Sequence, residues 1–188
     1  EPPGPVHLDL PEDVAIAPAA DASAPPLFQP GPLDESPPPA ESDLARIADR
    51  LRRARRPLAA LGFSLYRTGA LDALRRFLEA QQLPFVTTNM AKGVVPEDHP
   101  LWLGVVGRAR RKTIEAYLAQ ADLVVGIGYD PVEIGYEEWI PPVPLVHVAG
   151  EPADVDPTVR VEAQAVGRLA AALHWLAGLP PRSTEWDP

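Results

Sequence analysis

Two strand-to-glycine turns, one glycine-bearing loop and four histidines are the residues here whose types and spacing could do chemistry. The first turn runs Leu58-Ala-Ala-Leu-Gly62-Phe-Ser-Leu-Tyr-Arg-Thr-Gly69, just before a helical pattern. A dinucleotide turn clusters its glycines so that backbone amides at a helix start can approach a pyrophosphate. Gly62 and Gly69 are instead well separated, with Phe63 and Leu65 between them, which weakens that reading. The second turn, Gly126-Ile-Gly128-Tyr-Asp-Pro-Val-Glu133, lacks the third glycine of GxGxxG, and no helical pattern follows it directly. The loop lies in PFVTTNMAKGVVPEDHPLWLGVVG, where a short strand, Phe85 to Thr87, runs into Asn89, Met90, Lys92 and Gly93. A loop at the carboxyl end of a strand is where a doubly wound sheet places ligands. Lys92 could face an anion, but a solvated or inter-domain contact is the stronger reading. Glu97-Asp98-His99 is hemmed by Pro96 and Pro100 and reads as a rigid loop whose side chains bond local backbone. His7, His99, His147 and His174 are scattered without ligand spacing, so no metal site is expected.

The elements that must position these residues follow from periodicity. Ser42 can cap a helix to about Ala54, with Leu44, Ile47, Ala48 and Leu51 on one stripe. Arg50, Arg52, Arg53, Arg55 and Arg56 crowd its end, where cations suit the helix dipole. Pro57 to Leu61 is a buried-type strand, and a helix from about Gly69 to Gln82 turns Leu71, Leu74 and Leu78 inward. Thr113 caps a helix whose inward face is Ile114, Tyr117, Leu118 and Ala121. Strands are expected at Leu123 to Ile127, Pro144 to Val148 and, more weakly, Val159 to Val161, with a last helix at about Val166 to Gly178. Apolar strands alternating with amphipathic helices predict an α/β fold: a Rossmann-like, doubly wound parallel sheet flanked by helices.

The ends read differently. Val6, Leu8 and Leu10 alternate with polar residues as a strand would, yet no partner follows. Residues 15–40 are rich in Ala and Pro and read as a linker, with Leu27, Phe28 and Leu33 as the anchors if it packs. Residues 41–179 form the expected domain, and residues 180–188 read as an exit linker. Pro180 and the residues after it look as if another domain followed.

Composition narrows the function. A net charge of -9 argues against a nucleic-acid partner. The absence of cysteine excludes disulfides and thiolate metal sites. No apolar run reaches the roughly 18 residues of a membrane span, and no signal peptide is visible. A cytoplasmic protein is the default expectation.

Three phrases then carry a resemblance: GPVHLDLPEDV at the start, MAKGVVPEDHP in the loop, and IGYDPVE after the strand at Leu123. Together they resemble the central domain of thiamine-diphosphate (ThDP) enzymes of the acetolactate synthase family, and IGYDPVE is closest to the FAD-free, catabolic type. The resemblance implies that residues 1–14 are the last strand of a preceding pyrimidine-binding domain. It implies that the Asn89 to Gly93 loop walls part of a substrate entrance. It also implies a parent enzyme, a homodimer or homotetramer, that uses ThDP and Mg²⁺ to join two pyruvates into 2-acetolactate and CO₂. The partners of this chain would be the N- and C-terminal ThDP-binding domains of the same polypeptide.

FAD-dependent relatives would hold a flavin near the positions of Gly62, Gly104, Gly107 and Gly128. The chain departs from their pattern at each turn. It has Arg108-Ala109-Arg110 after Gly107, where the FAD group typically continues His-Gly, and Ala149-Gly150 where an Asp is usual. These glycines are therefore expected to be at most a vestigial nucleotide cleft without FAD. The Gly-Asp-Gly segment that holds Mg²⁺ and diphosphate does not occur, so no catalytic residue, cofactor or metal is expected in this chain alone. Two other readings stay open: the central domain of another ThDP lyase or decarboxylase, and a stand-alone nucleotide-binding module.

Overall fold

The computed structural model describes residues 7–18, 35–107 and 112–186, with the side chains of Lys112 and Thr113 left aside. The Leu27, Phe28 and Leu33 anchors and the Arg108-Ala109-Arg110 departure lie outside these residues. The chain divides into two units, Glu1–Leu33 and Asp34–Pro188.

In the first unit Val6 lies outside the described residues. Residues 7–10 have no regular structure, and a short helix, α1 (Glu12–Ile16), follows Pro11. Leu8 and Leu10 are 82% and 62% exposed. Alternation alone cannot make a strand, because its backbone groups need a neighbour to pair with.

The second unit contains the sheet. Its strands are β1 (Pro57–Leu61), β2 (Phe85–Thr88), β3 (Trp102–Val106), β4 (Leu123–Ile127), β5 (Leu145–Ala149) and β6 (Val161–Val166). They run in the order β3-β2-β1-β4-β5-β6, and every pairing is parallel. The helices are α2 (Glu41–Arg53), α3 (Ser64–Arg67), α4 (Leu71–Gln81), α5 (Lys112–Leu118) and α6 (Leu169–Ala177), with a 3₁₀ turn at Tyr136–Glu138.

The burial pattern explains the layers. Successive side chains of a strand point to opposite faces. Ala59 and Leu61 of β1 join Leu123, Val125 and Ile127 of β4 under α2, α4 and α6, whose Ile47, Leu51, Phe77, Leu78 and Leu173 fill that face. Leu58, Ala60 and Val124 point the other way, onto Ile114, Leu118, Tyr136 and Trp139. Both faces are covered at the centre of the sheet, so β1 and β4 carry no polar side chain. Among the described residues, no helix is long and apolar enough to cross a membrane.

Several boundaries differ from the sequence reading. Ser42 is not a cap: α2 starts at Glu41 after extended Ala40, and no side-chain cap bond forms. The Pro37-Pro38-Pro39 run holds the approach extended, while Glu41 and Asp43 place negative charge at the positive end of the helix. The segment after Pro100, where no strand is expected from the sequence, contains β3 at the sheet edge, with Gly104 at φ +131. Strand β6 runs Val161–Val166, later than expected. The segment after Pro180 lies against the domain as far as Trp186. Trp186 Nε1 donates to the Pro57 carbonyl at 2.8 Å, and the Glu185 amide donates to the Arg55 carbonyl at 3.0 Å.

Candidate ligand crevice at the strand ends

Strand order fixes where a ligand site could lie. The chain leaves β1 toward β2 on one side, while β4 lies on the other, so the crossover direction reverses between β1 and β4. Ligands of open α/β sheets sit beyond the carboxyl ends of the strands at such a reversal.

Gly62 and Gly128 meet there. The Gly62 amide donates to the Ile127 carbonyl at 2.9 Å, and the Ser64 amide donates to the Gly128 carbonyl at 3.0 Å. A Cβ on Gly62 would collide with the Gly128 carbonyl and Tyr129 Cα, and would lie 2.7 Å from Glu133 Oε1. Backbone thus lies directly against backbone, with no room for a side chain at Gly62. Gly104, within β3, faces Ile114 of α5, and Gly107, just past the end of β3, lies against the Asn89 amide, where an added Cβ would stand 3.0 Å from it.

Glu133 fills the crevice. Its Oε1 accepts the Phe63 amide at 2.8 Å and the Asp130 amide at 2.9 Å, and its Oε2 accepts the Thr88 hydroxyl. Burial raises its carboxyl above the ordinary range, against the pull of those donors. Beside it, Asp130 pairs with Arg67, accepts from Ser64 Oγ at 3.4 Å, and takes the Val132 amide at 3.0 Å. Burial works against ionisation of Asp130, but the Val132 amide and Arg67 outweigh it and hold the carboxyl below its ordinary value. Arg67 also lies over the Phe63 ring, 5.2 Å from its centre.

The same cluster holds the loop after β2. Thr88 Oγ1 accepts the Ala91 amide at 3.1 Å, and Tyr66 donates its hydroxyl to the Lys92 carbonyl at 2.5 Å. Gly93, at φ +84, lies under the Tyr66 hydroxyl in a conformation that suits glycine. Met90 is left 43% exposed, and Lys92 pairs with Glu97 at 3.2 Å. Asn89, Met90, Lys92 and Gly93 therefore form a shaped loop at the edge of the crevice. The sequence reading missed Glu133, Thr88, Arg67 and Tyr66. The one signal for them was the Asp-Pro-x-Glu spacing, which lets the Asp130 turn bring Glu133 back toward β1.

The opposite face carries an aromatic stack. Tyr129 and Tyr136 stack with ring centres 4.0 Å apart, and Trp139 Nε1 donates to the Tyr129 hydroxyl at 2.9 Å. His147, buried on β5, meets the Glu151 carbonyl through Nε2 at 3.1 Å. A carbonyl only accepts, so Nε2 carries the proton and Nδ1 accepts the Tyr136 hydroxyl at 3.2 Å. His99 Nδ1 accepts the Leu101 amide at 3.2 Å, a local loop bond. An apolar cavity of about 450 Å³ lies between β3, α5 and Trp139–Pro142, with Glu115 as the ionisable side chain among its lining residues.

Comparison with known proteins places this geometry. Residues 44–176 match the profile of the family described as "Thiamine pyrophosphate enzyme, central domain". The chain is similar to the probable acetolactate synthase large subunit of Methanocaldococcus jannaschii, 31% identical over 88% of this chain and 29% of that protein. It is similar to the acetolactate synthase isozyme 1 large subunit of Escherichia coli K12, 32% identical over 98% of this chain and 33% of that one. Among solved structures, a thiamin diphosphate-dependent enzyme from Mycobacterium smegmatis superposes with a TM-score of 0.61 at 27% identity, over 89% of this chain and 32% of that one. The chain spans about a third of the length of the curated relatives it matches.

Proposed function

The chain belongs to the thiamine pyrophosphate enzyme central-domain family, and from that membership we propose that it is the non-catalytic middle of an acetolactate synthase that works without FAD. The observation that carries this reading is the match to acetolactate synthase large subunits across 88–98% of the chain. In the parent, two pyruvates give 2-acetolactate and CO₂. ThDP with Mg²⁺, held by flanking domains, supplies the nucleophilic carbon that makes decarboxylation and carbon–carbon joining possible. The residues of this chain act by position. The sheet spaces the flanking domains, and Asn89, Met90, Lys92 and Gly93 wall the substrate entrance. Residues 1–14 belong to the preceding domain, and the whole assembles as a cytoplasmic homodimer or homotetramer.

A flavin does not suit this chain. Two features support this: Gly62 and Gly69 are not clustered as in a dinucleotide turn, and Glu133 already takes the Phe63 amide beyond β1. The test is acetolactate formation from pyruvate by the polypeptide with its flanking domains, given ThDP and Mg²⁺. Activity without FAD is expected, and added FAD should leave the rate unchanged. Dependence on FAD would overturn the cofactor assignment. Turnover of another 2-oxo acid with none of pyruvate would move the reading to a different ThDP lyase.

A further inference from the structure

Glu133 is placed where the fold would hold a ligand, yet it belongs to the chain. Its two oxygens gather donors from three strand ends: the Phe63 amide beyond β1, the Thr88 hydroxyl at the end of β2, and the Asp130 amide beyond β4. A ligand oxyanion in the same crevice would need these same donors. We infer that the Glu133 carboxylate is the built-in occupant of the crevice, standing in for a bound anion, locking β1, β2 and β4 together and shutting out a dinucleotide.

The inference does not depend on which reaction the parent catalyses. It rests on the carboxylate's three donors and on the close approach of Glu133 Oε1 to Gly62, where an added Cβ would lie 2.7 Å from it. It also joins the crevice to the loop, because Thr88 both donates to Glu133 and accepts the Ala91 amide. Thr88 and Glu133 are thereby positioning residues for Asn89 to Gly93.

Glu133→Ala in this chain would leave the donors unmet around a space of about the size of acetate. Buried donors without partners are costly, so the melting temperature should fall by roughly 5 °C or more. Sodium acetate should recover part of that loss in the variant. It should do nothing of the kind in the wild type, with sodium chloride at equal ionic strength as the control. Titration of the wild type with FAD or ADP should give no saturable heat. Thr88→Val, which removes one donor and keeps the side-chain shape, should lower the melting temperature by a smaller step if the alanine variant does not fold. The inference fails if Glu133→Ala melts with the wild type, if acetate shifts both alike, if Thr88→Val is silent, or if the wild type binds FAD or ADP at micromolar concentrations.

Discussion

Gly126→Ala is expected to destabilise the fold by about 3–5 kcal/mol, on the scale of losing a buried aromatic side chain. Gly126 lies in the middle of β4, paired with Ala60 of β1 and His147 of β5. A Cβ there would run into the Tyr136 hydroxyl and come within 2.7 Å of Tyr136 Cζ. The Tyr136 ring has nowhere to retreat: it is fully buried, stacked on Tyr129 and hydrogen-bonded to His147. Interiors packed this closely do not absorb a methyl group without expelling something. Either the ring leaves its site or the strand shifts. Urea unfolding of the two forms would measure the loss. Tyr136→Leu, which shortens the side chain, should cost much less in the Gly126→Ala background than in the wild type. Equal costs in both backgrounds would show that the collision is not the cause.

The second large effect is an acid destabilisation carried by His147. Burial on β5 lowers its pKa from 6.5 to about 4, despite the favourable Glu151 carbonyl. The folded state therefore prefers the neutral ring. Its contribution is complete above the unfolded value of 6.5 and is lost as pH falls from there to about 4. In that window the unfolded chain takes up a proton that the folded chain resists. At about 1.4 kcal/mol for each pH unit, the loss amounts to about 3 kcal/mol. Glu133 opposes it in part. Its raised carboxyl binds a proton more tightly when folded, so folding gains as pH drops through that raised value. Asp130, held low, loses its contribution only in stronger acid. His147→Gln can still donate to Glu151 and accept from Tyr136 but does not titrate. The difference between its pH–stability curve and that of the wild type should isolate a drop confined to pH 4–6.5. Parallel curves would contradict the assignment.

The fold was largely legible because its signals are local. The i, i+3, i+4, i+7 stripe of Leu44, Ile47, Ala48 and Leu51 is buried as expected, and the apolar runs at Pro57–Leu61 and Leu123–Ile127 are adjacent buried strands. The sequence reading failed where neighbours decide. Strand β3, at the sheet edge, follows the proline-bounded loop with no helix between it and β2. The candidate glycines were chosen by type, and only Gly62 and Gly128 meet. Glu133 was visible in the phrase IGYDPVE, but its partner Phe63 is 70 residues away in sequence, and no spacing rule reaches that far.

ThDP binding in the presence of Mg²⁺, measured for this chain and for the polypeptide carrying its flanking domains, separates the non-catalytic middle from a cofactor-binding unit. Saturable binding is expected of the longer polypeptide and none of the 188-residue chain. Stoichiometric binding of ThDP by the chain alone would contradict that expectation.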